Sequence, residues 1–223
     1  MASATRITVS SFGALVGVAG IEHGIGEILQ GNVAPDSFMF LSWPGEGPFS
    51  ILGGEPAMTI VPNLFMAGII TVLLSLTFIT WAVRFIGSKH GGLVLILLSI
   101  ALLFAGGGIF PPVFGIILGA VGTRIPAQPS SERNRLIGLR NYAARLWPWS
   151  FGLGLSAWLF MLPVLPLLAY FFGLSHDAGL VSSLALCMIG FMFSTILTGF
   201  ARDSQPQTGH RVRSDSPQIL GVS

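Results

Sequence analysis

Four long runs of this chain contain no charged residue: Ala57 to Val83, Gly91 to Thr123, Trp147 to Ser175 and Ala178 to Ala201. A helix rises 1.5 Å per residue and the hydrocarbon core of a bilayer is about 30 Å thick, so about 20 apolar residues cross it. Each run reaches that length. Lipid offers no hydrogen-bond partner to a backbone amide, which makes helices the expected form of all four. A fifth run, Ile7 to Gln30, is long enough as well, although only Ile7 to Ile21 is free of charge. Arg6 and a small-residue site near Val18-Ala19-Gly20 give it features of a signal peptide. In a chain with this many apolar runs, the expectation is a retained first membrane segment. Composition agrees: 9% of residues are charged, against about 25% in soluble domains, and the mean hydropathy is +0.78.

The basic residues set the threading. All 11 fall in four groups: Arg6; Arg84 and Lys89; Arg124, Arg133, Arg135, Arg140 and Arg145; and Arg202, Arg211 and Arg213. If Gly91 to Thr123 were one span, the chain would have five helices and the groups would divide at best eight against three. That run, however, carries "GGGIFPP" at Gly106 to Pro112, a strong turn and helix-breaking signal. Splitting it there puts every basic residue on one face, which the positive-inside rule makes the cytoplasm. The sequence therefore predicts an all-α integral membrane protein, a bundle of six segments at 8–30, 59–84, 91–107, 110–125, 149–173 and 179–201, with segments 3 and 4 a short Gly/Pro-broken hairpin. Residues 1–202 form the transmembrane domain, and 203–223 a disordered cytoplasmic tail. Both termini are cytoplasmic and the location is the cell membrane. Arms of about 15 residues reach only about 22 Å, so two short spans and a re-entrant hairpin satisfy the same charge count.

Smaller features fit this threading. Trp147 and Trp149 bracket Pro148 at the start of the fifth segment, as an interfacial aromatic belt does. Pro62 falls near the first turn of the second helix, and Pro163 and Pro166 predict a kink in the fifth. The five arginines of the 124–146 loop point in several directions on a helical projection, a solvated cytoplasmic face rather than a nucleic-acid site. The segment Gly31 to Pro56, with four prolines and the aromatic "SFMFLSWPG", reads as an interfacial loop in preference to a lid over an outward cavity. Cys187, the single cysteine, excludes an intramolecular disulfide and reads as a packing residue. No internal repeat is present.

The stretch "GIEHGIGE", Gly20 to Glu27, sets two glutamates and a histidine in apolar, glycine-rich surroundings. At 100° per residue Gly13, Gly17, Gly20 and Gly24 lie within about 60° of one another. Such a stripe lets another helix approach closely. A shorter stripe at Gly115, Gly119 and Gly122 makes the first and fourth segments candidate neighbours. Glu27 extends the first stripe, and His23, about 40° away, is positioned to touch Glu27 as an i,i+4 pair; Glu22 points elsewhere. A charge inside a bilayer costs roughly 2.5 to 3.5 kcal/mol on insertion scales, so these residues are functional candidates. Glu22, Glu27, Asp36, Glu46, Glu55 and Asp177 all fall on the outer side, where no lysine or arginine accompanies them.

His23 and Glu27 supply two metal ligands where zinc takes three or four. Others would come from Glu46, Glu55, His176 or Asp177, so the metal is left unknown, as is any cofactor. His90 and His210 fall inside. No P-loop, dinucleotide fingerprint, HExxH motif or nucleophile elbow occurs, which leaves an enzyme without a motif. The leading expectation is a small transport protein that handles a cation or proton at an outward-facing cluster of His23, Glu27, Glu22 and Glu55. Its partners are the bilayer and a small cation or proton, with no nucleic acid. The alternative is a structural or assembly subunit with no catalytic or transport site. A membrane enzyme using His23 and a carboxylate as acid and base ranks last. Convergence of His23, Glu27 and Glu55 on a cavity separates the first and third readings from the second.

Overall fold

The computed structural model describes residues 3–45, 49–125, 137–174 and 176–205. The chain is a helical bundle, and four of its helices are long and apolar enough to cross a membrane: Ala4–Gln30, Leu64–Phe85, Arg140–Phe172 and Ala178–Asp203. Helix α1 (Ala4–Gln30) is capped by the Ser3 side chain, which accepts from the Arg6 amide. Helix α2 (Leu64–Thr80) starts at Asn63, whose Oδ1 accepts from the Met66 amide at 3.0 Å, and runs into a π turn at Trp81–Phe85. Pro62 thus lies ahead of the helix and not in its first turn. Helices α3 (Gly91–Ala105) and α4 (Phe110–Gly122) follow, the second with prolines at its start, where a missing N–H does no harm.

Helix α5 (Ile137–Leu159) begins well before the expected fifth segment. The stretch carrying Arg140 and Arg145 is therefore helical, and the predicted loop to Leu146 is shorter. Where the sequence predicts a kink, a π turn at Phe160–Val164 contains Pro163 and leads into α6 (Leu165–Phe172). A proline donates no hydrogen bond, and a π turn accommodates the irregularity. Helix α7 (Ala178–Asp203) is capped by Asp177, whose Oδ1 accepts from the Gly179 and Leu180 amides at 2.9 and 3.0 Å. The expected tail beyond 205 lies outside the described residues.

Helix α1 is the centre of the bundle. In its apolar window 56% of the residues are buried, against 22% for the window of α5 and α6 and for that of α7, so those outer helices present most of their apolar surface outward. Val9, Phe12 and Val16 of α1 pack with Phe78, Leu95, Leu102, Phe114, Leu118, Trp158 and Met192. Leu73, Leu97, Leu186 and Leu197 face outward, a distribution suited to lipid. Cys187 is exposed on α7, which corrects its reading as a packing residue.

The glycine stripe of α1 faces α2. A β-carbon at Gly13 would meet Ala82, at Gly17 Ile79, at Gly20 Ser75, and at Gly24 Val72 and the Gly68 carbonyl. The second stripe serves a different neighbour: Gly119 and Gly122 lie against Gly92 of α3, and Gly115 against Ser99. Helices α1 and α4 are neighbours as expected, but their stripes do not meet, because each lies against the helix next to its own in sequence.

The described basic residues gather at one end of the bundle. Asp203 accepts from the Ala4 and Thr5 amides at 2.7 and 2.9 Å, joining the end of α7 to the start of α1. Arg6 lies against Gly87. Trp147 donates from Nε1 to Thr8 Oγ1 at 3.1 Å, and the Arg202 guanidinium sits 4.9 Å from its ring centre. Trp147 is thus a packed bracket between helices as well as an aromatic near the end of the bundle. Glu22, Glu27, Asp36, Glu55 and Asp177 lie toward the opposite end.

At that acidic end, the segment between α1 and α2 forms a packed cap. Strands β1 (Met39–Leu41) and β2 (Pro56–Met58) pair antiparallel, with Phe40 opposite Ala57. Ile51, Ala57, Ser42 and Thr59 are buried. Gln30 Nε2 donates to the Ser42 and Leu41 carbonyls at 2.9 and 3.1 Å. The segment expected as a simple loop is a folded element, held by side-chain contacts that its proline count did not disclose.

Candidate functional site

The cap builds the site by gripping His23. Beyond the two short strands the pairing continues: the Ser42 amide donates to the Glu55 carbonyl at 3.0 Å, and the Trp43 amide to the Gly54 carbonyl at 3.0 Å. Ser42 and Glu55 are thus cross-strand neighbours, and each takes one nitrogen of the His23 ring. Nδ1 lies 2.8 Å from Ser42 Oγ, and Nε2 lies 3.0 Å from Glu55 Oε2. Glu22 Oε2 is 4.0 Å from the same Nε2. The imidazole is 1% exposed, and the Glu22 and Glu55 side chains are 13% and 14% exposed, so the three form a nearly enclosed cluster.

Backbone geometry aims Glu55 at this cluster. A 3₁₀ turn at Ser50–Leu52 is followed by Gly53 and Gly54, each with φ near 79°, and then by Glu55 at φ 57°. Among the described residues Glu55 is the one non-glycine residue with positive φ. A side chain there costs energy that the surrounding structure must offset, and such residues concentrate at functional sites.

Glycines on two sides make room for the charged groups. Gly26 of α1 lies under the Ser42 carbonyl and the Trp43 ring, so the cap rests directly on the helix. Between α3 and α4, Gly106 and Gly108 have φ of 126° and 78°. A β-carbon at Gly106 would collide with the Glu27 carboxylate, and one at Gly108 with the His23 imidazole. The "GGG" turn is thus fitted against the polar residues of "GIEHGIGE". The cap also satisfies the end of α3: Ile60 N donates to Phe104 O, and Thr59 Oγ1 to Ala105 O, both at 3.0 Å.

Glu27 stands apart from the trio. It is fully buried, and neither carboxylate oxygen has a hydrogen-bond partner. The Thr71 hydroxyl of α2 is the polar group that approaches it. The i,i+4 spacing places His23 and Glu27 on adjacent lines of α1, but His23 turns to the cap while Glu27 turns to Gly106. Glu22, expected to point elsewhere, reaches His23 instead, since a flexible glutamate at the next position spans the 100° between them.

Beside the cluster lies a cavity of about 320 Å³ with mostly apolar walls, including Phe110, Phe114, Trp158 and Met188. Glu55 belongs to both the cluster and the cavity wall, and His176 lies on the same wall. Nδ1 of His176 donates to the Ile51 carbonyl at 2.5 Å. Of the other ligands considered from sequence, Asp177 is occupied as the cap of α7, and Glu46 and His210 lie outside the described residues. His90 is at the basic end, before α3.

Among the described residues His23 is the only base in ion-pair contact with an acid. Among the described residues no lysine or arginine pairs with the cluster. Ser42 could not be found from sequence, because only the hairpin register places it opposite Glu55. A scan of protein-family models, a search of curated proteins and a search of solved structures all find no match to this chain.

Proposed function

We propose that this chain is a multi-pass cell-membrane protein that handles a cation or proton at an outward-facing cluster of Glu22, His23 and Glu55, with Glu27 buried beside it. The observation that carries the reading is convergence. Glu22 and Glu55, from different elements, meet one buried imidazole; Glu27, also expected to converge, does not join them, and among the described residues no lysine or arginine offsets the two acids. Acids that merely mark an outer rim would be scattered and wetted. Here one of them is held in left-handed backbone, which a rim position does not require. A buried carboxylate avoids an unpaired charge by taking up a proton, binding a cation or pairing with an imidazolium. All three are cation chemistry.

The threading that makes the cluster outward-facing has six membrane segments and both termini in the cytoplasm. It draws support from the described basic residues gathered at one end of the bundle. In this threading α3 and α4 form a short hairpin. Their 15 and 13 residues rise about 22 and 20 Å, less than the bilayer core. The cap covers their turn, so no irregular backbone meets lipid there.

The test is flux into proteoliposomes loaded with pH- and cation-sensitive dyes. Wild-type protein should carry a proton or cation current above empty vesicles, and His23→Ala or Glu55→Gln should reduce it to background. A wild-type signal equal to empty vesicles for protons and for mono- and divalent cations would overturn the reading.

A further inference from the structure

We propose that Glu22, His23 and Glu55 form a binding site for a divalent first-row transition ion of the zinc class, with Ser42 as the residue that orients its histidine. The inference rests on the cation-handling reading and names its ligand. One donor atom from each of the three residues lies within 4.8 Å of the others. Zinc bonds of about 2.0–2.1 Å in a tetrahedron put neighbouring ligands about 3.3–3.4 Å apart. The separations from His23 Nε2, 3.0 Å to Glu55 and 4.0 Å to Glu22, bracket that edge.

The second observation is the state of the imidazole. His23 is 1% exposed, its Nε2 faces the carboxylates with Glu55 Oε2 3.0 Å away, and both buried oxygens of the Glu22 carboxylate lack a hydrogen-bond partner. Nδ1 is engaged by Ser42 Oγ at 2.8 Å. When Nδ1–H donates to that hydroxyl, Nε2 presents its lone pair to the carboxylates. This is the arrangement of metal-ligating histidines, whose second nitrogen is held by an outer partner. Ser42 is itself fixed, fully buried and joined through its amide to the Glu55 carbonyl.

Charge and donor type narrow the ion. Two carboxylates and a neutral imidazole carry two negative charges, which a dication balances and a single proton does not. An imidazole in the set favours transition ions over calcium or magnesium, which take oxygen ligands. Three protein ligands leave a fourth position open, as in catalytic and transfer sites and unlike closed structural ones. The cavity whose wall Glu55 shares supplies space for a water or a solute.

Co²⁺ serves as the probe, because a cobalt ion in a tetrahedral N/O site absorbs visible light. The full chain is purified in detergent without a polyhistidine tag, in a Cys187→Ser background that removes the exposed thiol. Titration should show one Co²⁺ per chain, displaced by Zn²⁺. Ser42→Ala should weaken binding by about 10- to 100-fold, the usual effect of losing an outer partner, and His23→Ala and Glu55→Gln by more. Wild-type protein without a Co²⁺ signal, or variants that bind as wild type does, would overturn the metal site. Wild-type titration decides the point even if a variant fails to fold. Proton flux that depends on His23 without metal binding would overturn the metal site and leave the cation reading standing. Stoichiometric binding without any flux would sustain the site and overturn transport.

Discussion

Two glycines outside the helices set how closely the polar residues of α1 are enclosed. Gly106 and Gly108 adopt positive φ and abut Glu27 and His23. Gly106→Ala should lower the melting temperature on two counts. Left-handed backbone strain costs on the order of 1–3 kcal/mol, and the new methyl collides with the Glu27 carboxylate. Only the second depends on Glu27. A double-mutant cycle with Glu27→Ala should therefore show a favourable coupling of about 0.5–3 kcal/mol, the range for residues in contact. Strict additivity would mean that the turn and Glu27 do not meet.

At the scale of elements, the stripe of Gly13, Gly17, Gly20 and Gly24 makes the interface between α1 and α2. Gly17→Leu or Gly20→Leu should lower the melting temperature, since each drives a side chain into Ile79 or Ser75, and overpacking costs about 1–3 kcal/mol. Gly190→Leu on α7, where a β-carbon meets nothing within 4 Å, should not. Equal melting of all three variants would contradict the packing. The helices themselves were legible from sequence, because long uncharged runs and the "GGGIFPP" break are local signals. The stripe was legible as a stripe, but its partner was not, since periodicity fixes a face and says nothing of what covers it. The cap was least legible. Its hairpin depends on Ser42 meeting Glu55 across a dozen residues and on left-handed backbone at Glu55. Glu22, His23 and Glu55 are each candidates from sequence, yet spacing along one helix favours the His23–Glu27 pair over the contact with Glu55.

For the molecule as a whole, the function assigned to the cluster requires that its end of the bundle face outward. The described basic residues lie at the opposite end from Glu22, Glu27 and Glu55, with Asp203 the one described acid among them, and the bundle presents leucines in between. Under the positive-inside rule that polarity supports the proposed orientation. The most direct measurement is labelling of single cysteines with an impermeant reagent applied to intact cells, in the Cys187→Ser background. Cysteine at Ser37, in the cap segment, should react, whereas cysteines at Ser88, Ser131 and Ser204 should react only after the membrane is opened. Labelling at Ser131 and Ser204 but not at Ser88 would restore the five-helix threading, and protection at Ser37 with labelling at the other three would invert the molecule; either result would contradict an outward-facing cluster in a six-segment bundle.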